Sequence, residues 1–70
     1  MKKLHKSLIK AECIKYASEN DMKIIVLTDN TFTAEGENCV VDVPLDHLYD
    51  QLKQGWNIQD TLQNETNYLQ

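Results

Sequence analysis

Residues 23 to 43 constrain the fold of this 70-residue chain more than any other stretch. "KIIVLTD" is a β-branched run that reads as a central strand. "TFTAE" alternates, with Phe32 and Ala34 on one face, and "CVVDV" puts Cys39, Val41 and Val43 on one face. Asp29-Asn30, both tolerant of positive φ, and "EGEN" at 35–38 supply the turns. Together they predict a three-stranded antiparallel meander. One face of that sheet has to be covered by the rest of the chain, and its edges stay open unless something is laid along them.

Helical patterns flank the meander. Residues 2–19 are rich in Lys, Leu, Ile, Ala and Glu. On a helical wheel Leu4, Leu8, Ala11 and Ile14 form an apolar stripe expected to meet the sheet. Ile9 and Tyr16 fall on the opposite side, near Lys2, Lys6 and Lys10. A helix apolar on two sides has more to bury than one small sheet can cover. The second side is expected to meet the C-terminal segment, or to form a homodimer through Ile9 and Tyr16, a sheet edge being the alternative. Beyond the meander, Pro44 reads as the first residue of a second helix. Leu45, Leu48, Tyr49 and Leu52 follow at i, i+3, i+4 and i+7. Gly55 fits the left-handed position that ends it. Asn57, with Asp60 three residues on, reads as a capping box opening a third helix. Ile58, Leu62 and Leu69 make that helix's stripe, with Tyr68 beside it. The predicted order is αβββαα, an α+β fold in a single domain, 1–70.

The only tryptophan, Trp56, lies between Gly55 and Asn57, just before the third helix. Folded back as a staple against Thr61 it would plug the corner, and burial is the expectation. Turned outward it would be a contact hot spot, which makes it a candidate partner-binding residue as well.

Charge bears on function. Residues 1–20 hold five lysines against two acids, a net of +3, whereas residues 21–70 hold two lysines against nine acids, a net of −7. A body this acidic argues against general nucleic-acid binding, which needs clustered cations. It suits a basic surface on another protein. Asp46, Asp50, Asp60 and Glu65 are the carboxylates expected to face outward from the C-terminal helices, at a spacing that can imitate duplex phosphates.

Catalytic and metal chemistry have little to start from. His5 and His47 lie on separate helices, Glu35 and Glu37 flank a turn, and His47 with Asp50 at i, i+3 reads as a surface pair. Cys13 and Cys39 stand apart with no C-x-x-C, so two reduced thiols are expected. No cofactor and no metal are expected. "MKKLHKSLIK" is broken by Lys6 and Lys10 and does not read as a signal peptide, and no apolar run approaches a membrane span. A cytoplasmic location with no membrane partner is the expectation, and the "NET" at Asn64 reads as a chance sequon.

The αβββαα order, the acidity and "KQGWN" at the joint of the last two helices resemble small phage-encoded anti-CRISPR proteins. That resemblance implies an inhibitor occupying the PAM-reading site of a type II CRISPR effector through acidic residues. Asp46, Asp50, Asp60 and Glu65 would then be its contacts, although the last helix here carries fewer acids. "VPLDHLYDQLKQGWNIQDTL" is also similar to the helix–Gly–helix segment of a VapB-like antitoxin family, on Val43, Pro44, Leu48, Leu52, Gly55, Ile58 and Leu62. Both imply a protein that works by binding. The expectation is a non-enzymatic interaction module from a phage or mobile element that blocks a host protein. The alternative is an antitoxin-like or DNA-binding regulator whose basic first helix meets phosphate.

Overall fold

The computed structural model describes residues 6–69; the expectations placed on Lys2, Lys3, Leu4 and His5 lie outside the described residues. The chain runs α1 (Lys6–Glu19), β1 (Lys23–Leu27), β2 (Thr31–Glu35), β3 (Cys39–Pro44), α2 (Leu45–Lys53), α3 (Ile58–Glu65) and β4 (Thr66–Tyr68). The architecture is α+β, and the three-strand expectation is corrected to a four-stranded antiparallel sheet in the order β1-β2-β3-β4. The added strand follows α3 directly. Thr66 stands opposite Val41 and Tyr68 opposite Cys39. The segment with Tyr68 and Leu69, expected to continue the third helix, is therefore extended, and both side chains are exposed.

Alternation does what the pattern implied. Phe32, Ala34, Val41 and Val43 are fully buried, whereas Glu35 and Asp42 on the other face are exposed. All three helices pack against the Phe32 face and against one another, and none takes the opposite face. On that open face the Thr33 hydroxyl donates to Asp42 Oδ1 at 3.0 Å. β1, expected to be a central strand, is corrected to an edge strand paired only with β2, and its register slips between Ile24 and Val26, leaving Ile25 as an extra residue. Such a bulge twists an edge out of line and discourages pairing with another chain.

The turn at Asp29-Asn30 forms by a different device from the expected one. Among the described residues the only non-glycine with positive φ is Asp21. The Thr28 hydroxyl instead accepts from the backbone N–H groups of Asn30 and Thr31, at 3.1 and 3.2 Å. Pro44 also sits one residue earlier than expected. It closes β3 opposite Thr31 with an extended ψ of 140° and serves as the N-cap of α2.

Helix α1 turns its expected faces around. Ile9, Cys13, Tyr16 and Ala17 form its buried stripe, while Leu8, Ala11 and Ile14 are exposed. Ile9 and Tyr16, expected as a dimer surface, are core residues at 0% and 5% exposure. Spacing alone does not choose between the two sides: at about 100° per residue, positions 9, 13, 16 and 17 stay within an arc of about 100°, and positions 8, 11 and 14 within about 120°. Tyr16 also finds a buried polar partner, Thr66, at 2.7 Å. Lys6 and Lys10 on the flanks reach Asp46 at 3.4 Å and Asp29 at 2.6 Å.

The exit from α1 is a Schellman motif. Met22 N–H donates to Ala17 C=O at 2.8 Å and Asp21 N–H to Ser18 C=O at 3.4 Å, with Asp21 left-handed at φ 54°. Met22 and Ala17, the pair the motif brings together, both belong to the core. An L-residue in this conformation is strained, so Asp21→Gly is expected to stabilise the fold by about 0.5–1 kcal/mol, net of the entropy glycine adds to the unfolded chain. Urea denaturation checks this: a midpoint that falls contradicts it.

Candidate interaction site

The four carboxylates do not share one face. Asp46 and Asp50, four residues apart, lie on the same side of α2, both exposed. Asp60 lies in the first turn of α3 and Glu65 is its last residue, five positions or about 140° apart around the axis. Two of the four have internal partners. Asp46, with its side chain 81% exposed, lies 3.4 Å from Lys6 Nζ. Glu65 Oε2 lies 3.4 Å from His47 Nε2, so His47 pairs across to α3 and the expected His47–Asp50 pair is absent. Asp50 and Asp60 have no cationic partner among the described residues.

Two of the three lysines of α1, Lys6 and Lys10, are similarly engaged, whereas exposed Lys15 has no carboxylate partner among the described residues. Lys10 Nζ donates to Asp29 Oδ1, and that hydrogen bond, with the lysine's charge, holds the Asp29 carboxyl below the ordinary aspartate range. A lowered folded-state value means the pair stabilises above the ordinary aspartate range and stops doing so as pH falls through the folded value. With both groups substantially exposed to water, the effect is small.

The corner holding Trp56 repeats the device at the end of α1. Gly55 N–H donates to Leu52 C=O at 3.0 Å and Trp56 N–H to Gln51 C=O at 2.9 Å, with Gly55 at φ 95°. Trp56 thus occupies the same motif position as Met22. Met22 finds apolar Ala17 beneath it and is 8% exposed; the matching residue under Trp56 is Gln51, and the indole is 53% exposed. The expected burial of Trp56 is corrected for that reason. Its proposed staple partner, Thr61, is buried and spends its hydroxyl on Asn57 C=O at 3.1 Å. Asn57 caps α3 as expected, its Oδ1 accepting from Gln59 N–H at 2.7 Å.

Beside this corner runs an open groove of about 420 Å³ between α1 and the α2–α3 joint. Leu8 and Ala11 form one wall and Leu52, Asn57 and Ile58 the other. Glu12 also lines it, and its carboxylate Oε1 accepts from Gln59 Nε2 at 2.8 Å. The sequence carried a sign of it, the two apolar sides of α1, but the side left uncovered is the one expected to meet the sheet.

No grouping of three or more His, Cys, Asp or Glu that could hold a metal occurs among the described residues. Both cysteines are free. Burial, reinforced by the neighbouring Glu12 charge, pushes the Cys13 thiol up to about 12. A raised folded-state value means its contribution is complete below the ordinary thiol range, near pH 9, and is lost as pH rises from there towards 12. Native protein is therefore expected to react with a thiol reagent at half-buried Cys39 first, and at Cys13 only on unfolding. Mass spectrometry of partly labelled protein checks the order, and early label at Cys13 contradicts it. The sequon threonine, Thr66, is buried and hydrogen-bonded within the fold.

No helix among the described residues is long and apolar enough to cross a membrane. What fold and surface define is a small α+β domain with a covered sheet face, an open one, and an exposed tryptophan beside an apolar groove. Compared with family models, with curated proteins and with solved structures, the chain matches none.

Proposed function

We propose that this chain is a non-enzymatic inhibitor from a phage or mobile element that binds a host protein in the cytoplasm and blocks its nucleic-acid-binding surface. The observation that carries this choice is the pairing of two of the three α1 lysines, which leaves Lys15 alone exposed without a carboxylate partner among the described residues. Lys6 and Lys10 are held by Asp46 and Asp29, which reduces what α1 offers to phosphate. Asp50 and Asp60, by contrast, are exposed acids with no cationic partner among the described residues. Charge of that sign favours a basic protein surface over DNA. Asp50 and Asp60 are the leading contacts, Asp46 and Glu65 contribute once their internal pairs exchange, and the anti-CRISPR resemblance suggests a type II CRISPR effector as the first partner to try.

The test is equilibrium binding at physiological salt. The chain is expected to bind a purified type II effector in competition with its target duplex, and Asp50→Lys with Asp60→Lys is expected to weaken that binding. No sequence-specific duplex binding by the chain itself is expected. Sub-micromolar affinity for one duplex, with weak binding to scrambled DNA, would instead establish the antitoxin-like or DNA-binding regulator.

A further inference from the structure

We infer that the groove between α1 and the α2–α3 joint is filled by Trp56 of a second copy of this chain, in a two-fold dimer. The inference goes beyond the proposed inhibition and does not rest on Asp46, Asp50, Asp60 or Glu65.

Three observations carry it. First, the groove is chemically matched to an indole. Leu8, Ala11, Leu52 and Ile58 give it apolar walls. Glu12 Oε1 is taken by Gln59, which leaves Oε2 as an acceptor without a partner among the described residues. An apolar body carrying one N–H donor is what such a site takes, and Trp56 is the only tryptophan in the chain. Second, knob and hole are neighbours. Trp56 directly precedes Asn57 and Ile58, both of which line the groove. A projecting group beside its own complementary hollow makes a self-complementary surface, and a two-fold axis between them satisfies both copies at once. Third, the exposed apolar strip of α1 continues the wall. Leu8, Ala11 and Ile14 follow at steps of three, with Leu8 58% and Ile14 50% exposed. One dimer would cover these and the indole together. A contact at the small end of the interface range is transient, so association is sought from micromolar concentration upward.

The full chain carries its own reporter. Sedimentation equilibrium from micromolar to sub-millimolar concentration is expected to show the mass rising from 8.1 kDa towards twice that value. Tryptophan emission should move to the blue over the same range as the indole leaves water. Leu8→Glu and Trp56→Ala should each weaken association by about thirty-fold or more, the effect of losing a hot-spot contact. Both change exposed residues, so each should keep its circular dichroism and, at dilution where the parent is monomeric, its melting temperature, and the Leu8→Glu emission should stay in the solvent-exposed range at every concentration. A mass fixed at 8.1 kDa throughout overturns the proposal and leaves the groove to a different protein. Doubling without a blue shift, or a dimer that survives Leu8→Glu, also overturns it, because the copies then meet elsewhere, as at the β1 edge.

Discussion

Phe32→Ala is expected to cost the fold about half of its stability in water. Phe32 is the largest fully buried side chain among the described residues, the second residue of β2, with Val43 opposite it on one side and Leu27 on the other. Its truncation costs about 3–5 kcal/mol, from lost burial and from the cavity left behind. A chain of this length has only about 3.5–10 kcal/mol of total stability, so the loss is about half of it at mid-range. Far-UV circular dichroism with urea titration is the suitable measurement. Tryptophan emission is the wrong one for the isolated chain, since Trp56 is already half in water before unfolding. A cooperative transition within about 1 kcal/mol of the parent would mean that the sheet and helices meet elsewhere.

The second large effect is expected where α1 meets the end of α3. Thr66 Oγ1 donates to Leu62 C=O at 2.7 Å and lies 2.7 Å from Tyr16 Oη. A hydroxyl has one proton, and this one is committed to the carbonyl, so Tyr16 must be the donor between the two. The consequence is an asymmetry. Tyr16→Phe removes a donor while Thr66 keeps its bond to Leu62, a loss of about 1 kcal/mol. Thr66→Val strands the buried phenol without a partner, at a cost of about 1–3 kcal/mol. The double variant should cost less than the two single losses summed, since the phenylalanine leaves nothing to strand. A double-mutant cycle by urea denaturation measures this. Strict additivity would show that the two hydroxyls are not coupled.

The meander and the second helix were legible because their periods are clean. Phe32/Ala34 and Val41/Val43 alternate, and Leu45 and Leu48 recur at helical spacing, so burial follows pattern. β4 was not legible. Its three residues are too few to show a period, and Thr66–Tyr68 is extended because it pairs with β3. The face of α1 was misread for a different reason. Both sides are apolar, and the choice between them rests on long-range partners: Thr66 for the Tyr16 hydroxyl, Asp46 and Asp29 for the lysines. For the candidate site, the sequence marked Trp56, but its exposure depends on Gln51, whose place beneath it emerges only from the cap geometry.

The pair of Schellman motifs bears on how this protein can change over generations. At the end of α1 the residue in the motif's last position is built into the core, so variation there is tested against folding. At the end of α2 the same backbone hydrogen bonds are made by main-chain atoms alone, and the side chain is presented to the surroundings. Residue 56 can therefore change while the scaffold stays put, and what holds it is the surface it meets. Variation at that corner would be tested against association, and compensated at groove residues such as Leu8 or Ala11, whereas variation at Met22 is tested against folding.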